Sequence, residues 1–119
     1  MNTASQIALV IIAVIHFYFL TLEMFLWTKP LGLKTFRLSR EDAERTRALA
    51  ANQGLYNGFL AAGLLASAFH SNVEVAGAGA QFFLGCVILA GAYGAATVNR
   101  RILLVQALPA AIALAVVLM

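Results

Sequence analysis

Apolar residues run along this chain in four long blocks separated by short polar breaks: about Ile7 to Trp27, Ala48 to His70, Val75 to Thr97 and Ile102 to Met119. A helix needs about 20 residues to cross a hydrocarbon core of about 30 Å. The pattern therefore predicts an all-α fold, a single domain formed as a bundle of four transmembrane helices. Trp27 is placed as an interfacial aromatic, with Lys29 and Pro30 expected to close the first helix. The last block is the shortest and contains Pro109, which neighbouring helices must accommodate.

The one hydrophilic stretch is the loop of residues 28–47. Within it, Ser39-Arg40-Glu41-Asp42 resembles a capping box that starts a helix at Ser39 and can run unbroken into the second span. Before it, Leu31, Leu33, Phe36 and Leu38 interleave with Lys34 and Arg37. That pattern suits a segment lying along the membrane surface, or an ordinary connecting loop.

Composition sharpens this picture. Hydrophobic residues make up 62% of the chain and charged ones 11%, too few polar groups to coat a soluble domain. All eight basic residues fall in two loops: Lys29, Lys34, Arg37, Arg40, Arg45 and Arg47 in the first, Arg100 and Arg101 in the third. Basic loops stay cytoplasmic, so both termini are expected on the non-cytoplasmic side of a membrane crossed several times. The net charge of +3 does not point to nucleic acid, because the cations stand beside apolar spans where anionic lipid headgroups are the natural neighbours. The lone cysteine, Cys86, excludes an internal disulfide and reads as a small packing residue. The start, MNTASQ, has no Lys or Arg, and no small-residue cleavage pattern follows the first apolar run, so the first helix is expected to be retained.

Polar residues inside the spans carry the candidate chemistry. His16 and Glu23 are two helical turns apart and so share a face. Counted from Trp27 at about 1.5 Å per residue, Glu23 lies about 6 Å deep and His16 about 16 Å. On the same scale Asn52 and Gln53 lie about 6 to 8 Å below the cytoplasmic edge, Tyr56 and Asn57 about 12 to 14 Å, and Tyr93 and Gln106 about 6 Å. Each helix thus offers a polar side chain at one depth, while the outer half has little beyond Gln81. The asymmetry predicts a cavity that opens toward the cytoplasm.

An intramembrane charge costs about 2.5 to 3.5 kcal/mol on insertion scales. Glu23 therefore needs a donor such as Gln53, Tyr93 or an arginine reaching down, or must give up its charge. A neutral His16 could donate from one ring nitrogen and accept at the other. Plainer roles stand beside these. Membrane Asn and Gln often only join helices, Tyr93 suits an interfacial belt, His70 ends its helix in solvent, and Glu74 is a first-turn acid. Ala50, Gly54, Gly58, Ala62 and Ala66 recur every four residues, a stripe of small side chains that lets backbones approach. It is a candidate seam with another helix of the chain or with a second copy in a homo-oligomer.

The stretches "HFYFLTLEMFLWTKP" (residues 16 to 30) and "NQGLYNGFLAAGL" (52 to 64) also carry a resemblance. The chain resembles the small bacterial integral membrane proteins grouped as domain-of-unknown-function family 1304. The resemblance covers essentially the whole chain and implies a four-helix membrane protein without an agreed activity. The positions it singles out are His16, Glu23, Trp27, Asn52, Gln53, Tyr56 and Asn57. More faintly, "RALAANQGLYNGF" resembles the second-helix segment of styrene oxide isomerase, a four-helix membrane enzyme that would imply haem. The axial histidine of that family is missing from this helix, so only His16, from the first helix, could supply a ligand.

The residues leave three functions open. One is a membrane enzyme of isomerase type that acts on a small lipophilic ligand by general acid/base chemistry at His16 and Glu23. A second is a proton-linked transporter or ligand-binding oligomer. The third is a structural subunit. No Ser-His-Asp order, phosphate-binding glycine loop or HExxH spacing is present, and two histidines at opposite depths cannot share one metal.

Overall fold

The computed structural model describes all residues, Met1–Met119, and every regular element is helical. In chain order these are α1 (Thr3–Met24), α2 (Pro30–Phe36), α3 (Arg40–Ala68), α4 (Val73–Thr97), a π-helical turn (Leu103–Ala107) and α5 (Leu108–Leu118).

Short polar side chains set the starts. Asn2 Oδ1 accepts from the Ser5 amide at 2.8 Å and fixes the start of α1. Ser39 Oγ accepts from the Asp42 amide at 3.1 Å, the cap read from the sequence, and α3 then runs 29 residues without a break. At about 1.5 Å per residue that is about 44 Å, more than a hydrocarbon core is thick. Asn72 caps α4 through the Val75 amide, with Glu74 in the first turn. Each cap satisfies an amide that the helix itself leaves unpaired.

Two ends differ from the sequence expectation. α1 stops at Met24, so Trp27 sits in the turn beyond it. The Thr21 carbonyl accepts from both Phe25 and Leu26 there, the widened last turn of a terminating helix. Pro30 does not close α1. It stands in the first turn of α2, where its missing amide costs nothing and its fixed φ suits the helix. The final apolar block is also not one regular helix. Pro109 has no N–H to offer, and its ring crowds the carbonyl four residues back. The chain answers by widening the preceding turn, so that the Leu108 amide reaches the Leu103 carbonyl, five residues away. The proline is thus accommodated within its own helix.

The chain forms two compact units, Met1–Ala13 with Ala62–Met119, and Val14–Ala61. In the first, small residues bring backbones together. Ala76, Ala80, Leu84, Val87 and Gly91 form the buried face of α4. A Cβ on Gly91 would come within 2.6 to 2.9 Å of the backbone N, Cα and Cβ of Ala107. The Phe83 ring lies against Gly63 and Ser67 Oγ against Gly79, while Gln6 Nε2 donates to the Ala68 carbonyl at 3.0 Å. An open apolar groove of about 520 Å³ lies between Ala4, Ile7 and Ile11 of α1 and Pro109, Ile112 and Val116 of α5.

In the second unit, Gly54 and Gly58 of α3 pack against α1. A Cβ at Gly54 would meet Met24 Cγ at 2.7 Å and Glu23 Cβ at 3.1 Å, and one at Gly58 would meet Leu20 Cδ1 at 2.6 Å. These glycines therefore serve a contact within the chain. The five-residue stripe does not keep to one face. Each step of four residues advances about 40° around the helix, so Ala50 and Ala66 end about 160° apart. Ala50 and Gly54 are buried, whereas Ala62 and Ala66 are exposed.

Two helices, α1 and α4, are long and apolar enough to cross a membrane. Only 33% and 28% of their apolar windows are buried, far less than in a core helix of a soluble protein. Ile7, Ile11 and Val14 on α1 and Phe82 and Leu89 on α4 stand exposed instead. α3 falls below that measure because its early turns are charged and Asn52, Gln53 and Asn57 interrupt it; the stretch Leu103–Leu118 is apolar but shorter.

Candidate functional site

Seven of the nine candidate residues belong to the Val14–Ala61 unit. Its centre is Glu23, a residue only 3% exposed. The Asn57 amide, 9% exposed, donates from Nδ2 to Glu23 Oε1. Gly54 and Gly58 bring α3 close enough to α1 for so short a side chain to reach. Gln53, one of the donors considered from the sequence beside Tyr93 and an arginine, approaches the same carboxyl group but is itself exposed. No lysine or arginine pairs with Glu23. The ion pairs are those of Arg45 with Asp42, at 2.7 Å, and Glu41, at 3.9 Å, on the exposed start of α3.

His16 is 1% exposed and packs edge-on against Phe19, with ring centroids 5.5 Å apart. It lies buried on α1 as Glu23 does, two turns away, as their spacing requires. No buried side-chain nitrogen or oxygen lacks a partner.

The other candidates divide. Trp27 Nε1 donates to Thr46 Oγ1 at 3.1 Å, and the indole packs on Phe36 with centroids 4.7 Å apart. Trp27 therefore ties the turn after α1 to both α2 and α3. Thr46 carries no sequence signal for this role, since an exposed threonine on a charged turn reads as solvated. Asn52 and Tyr56 are exposed on α3, and Tyr56 meets Phe59 edge-on. Tyr93 and Gln106 belong to the other unit. Tyr93 is 72% exposed, and Gln106 is half-buried in the π-helical turn, where it is engaged.

The arrangement brings Glu23 and Asn57 together, with Gln53 beside them. It consists of a carboxyl group held by neutral amides, a setting in which the group can carry a proton or face a cation. Neither the apolar groove nor a smaller cavity of about 170 Å³ at Met1, Ser5 and Val73 is lined by these residues. Haem does not fit the residues present. His16, the one histidine within the spans, is buried against Phe19 and already engaged. No three His, Cys, Asp or Glu side chains group as metal ligands.

Comparison with known proteins gives a consistent result. A curated relative, an uncharacterized protein YpaA of Lactococcus lactis subsp. lactis (strain IL1403), is 31% identical over 108 residues, which is 89% of each chain. No solved structure matches. The fainter likeness to styrene oxide isomerase is not supported by these matches. The family model described as "protein of unknown function (DUF1304)" matches residues 10–118, and the chain belongs to that family.

Proposed function

We propose that this is a multi-pass inner-membrane protein of four spans, with both termini on the non-cytoplasmic side. Glu23 is the working group of an intramembrane site for a small lipophilic ligand. The observation that carries this reading is the buried Glu23 carboxyl, held by the amide of Asn57 with no lysine or arginine beside it. An ionisable residue inside a span is costly and usually serves a ligand or a proton. Exposed Asn52, Gln53 and Tyr56, on the same turns of α3, supply hydrogen-bonding groups for the polar end of such a ligand. In catalytic form the site is an acid/base isomerase: Glu23 exchanges a proton with the substrate, His16 assists, and the amides orient it. In transport form the same carboxyl couples ligand movement to a proton.

A second reading has its own support. Every buried side-chain polar atom is already satisfied, and the apolar groove between α1 and α5 is not lined by Glu23 or Asn57. That is what a purely structural clasp between α1 and α3 would require.

Purified wild-type protein and Glu23→Gln, compared by native mass spectrometry and absorption, separate the two. A co-purifying lipophilic compound, lost in Glu23→Gln while helicity and thermal transition persist, supports the site. Wild-type protein free of ligand, together with loss of folded protein in the variant, leaves only the clasp.

A further inference from the structure

The segment between α1 and α3 is more ordered than a connecting loop needs to be. Pro30 opens α2, and Gly32 is tucked so tightly beneath the preceding turn that a Cβ would stand 1.9 Å from the Leu26 carbonyl oxygen. Arg37 ends α2 in the left-handed region, at φ 55° and ψ 47°, with its amide on the Leu33 carbonyl. The Leu38 amide also returns to that carbonyl. A non-glycine residue there is strained, so tertiary contacts must hold it. They do: Trp27 bonds Thr46 and packs on Phe36.

This hook has a two-sided composition. Gly32 is buried, Leu33 and Phe36 are half-buried, and Leu31, Lys34 and Thr35 are exposed together on the other side of α2. Lys29 and Arg37 stand exposed at its two ends, and Phe25, 65% exposed, precedes it. No acidic residue occurs from Glu23 to Glu41, and Glu41 and Asp42 face Arg45. Three unpaired cations thus flank exposed apolar side chains on a braced platform.

We propose that this hook is a docking surface for anionic phospholipid headgroups of the inner leaflet. Lys29, Lys34 and Arg37 engage the phosphate, while Leu31 and Phe25 enter the upper acyl region. Charge complementarity selects the partner, because juxtamembrane cations are drawn to the negative surface of an anionic leaflet. The adjoining apolar side chains select a lipid over free phosphate. The inference goes beyond the Glu23 site and shares with it only the membrane placement of α1.

Trp27 is the only tryptophan in the chain, so its emission reports on the hook directly. The full chain is reconstituted in bilayers that contain phosphatidylglycerol or phosphatidylcholine brominated high on the acyl chains. Brominated phosphatidylglycerol should quench Trp27 several-fold more effectively than brominated phosphatidylcholine. That preference should fall in each of Lys29→Gln, Lys34→Gln and Arg37→Gln, approach equality when the three are combined, and fall with added salt. Free phosphate should not reduce it beyond the effect of equal ionic strength. Equal quenching by the two lipids, or a preference that the three substitutions leave intact, overturns headgroup docking alone. Absence of quenching by either lipid overturns the membrane placement as well.

Discussion

At the scale of single residues, the decisive contact is between Asn57 and Glu23, because it joins two helices through a group that apolar surroundings penalise. Interhelical hydrogen bonds in membranes contribute roughly 0.6 to 2 kcal/mol, and a buried acceptor stripped of its donor loses more than the bond alone. Asn57→Ala should therefore lower stability by about 1 to 2 kcal/mol in detergent unfolding. In a Glu23→Met background, which removes the carboxyl at similar volume, the same change should cost clearly less. Additive effects would show that the two side chains do not act as a pair. The sequence made half of this legible. Seven-residue spacing put His16 and Glu23 on one face, and both are buried. Asn57 was not legible as a partner, because Gln53 is longer and closer in depth, and Gln53 does approach the same carboxyl. What favours Asn57 is the near contact of α3 with α1 at Gly54 and Gly58, a distance that periodicity does not encode. Trp27 shows the same limit: it reads as an interfacial ring, but its partner Thr46 is settled by tertiary structure.

At the scale of elements, the glycines of α4 form an internal experiment. Gly91 lies against the backbone of Ala107, while a Cβ at Gly77 or Gly85 would meet nothing within 4 Å. Gly91→Ala must push a backbone aside and should cost about 1 to 3 kcal/mol, as overpacking does. Gly77→Ala and Gly85→Ala should be neutral or gain up to about 1 kcal/mol from the lower entropy of the unfolded chain and better helix propensity. Thermal unfolding of the three variants checks the ordering, and a uniform loss would contradict the close approach at Gly91. Helix starts were readable where a short polar side chain stands three residues before a possible capping partner, as at Ser39. Helix ends were not. Pro30 fits either a stop or a first-turn position, and the next few residues decide. Pro109 announced a disturbance, but whether a kink, a break or a widened turn follows depends on what the neighbouring backbone permits. The small-residue stripe misled for a geometric reason: a period of four outruns the helical period of 3.6, so regular spacing in sequence became a spiral around α3.

At the scale of the whole molecule, the question is how many helices cross. Hydropathy and length qualify α1 and α4, and a chain that crossed only there would leave α2 and α3 together on the inner side. The turn at Ser71 would then face inward, and the turn at Asn99 outward. Arg100 and Arg101 would be carried outside, against the bias that keeps short basic loops cytoplasmic. Four crossings remove that conflict, since α3 takes Ser71 out and α4 brings Asn99 back in. The polar residues that lower the hydropathy of α3 are not all exposed to lipid by this arrangement, because Asn57 is spent on Glu23. Two positions therefore discriminate. In a Cys86→Ala background, single cysteines at Asn2, Arg40, Ser71 and Asn99 are treated with a membrane-impermeant maleimide, in intact cells and in inverted vesicles. Four spans predict labelling of positions 2 and 71 from outside and of 40 and 99 from inside. Two spans predict the same result at 2 and 40 but exchange 71 and 99. Labelling of position 71 from the cytoplasmic side would therefore remove α3 from the membrane and leave the Glu23–Asn57 pair without the bilayer that makes it costly.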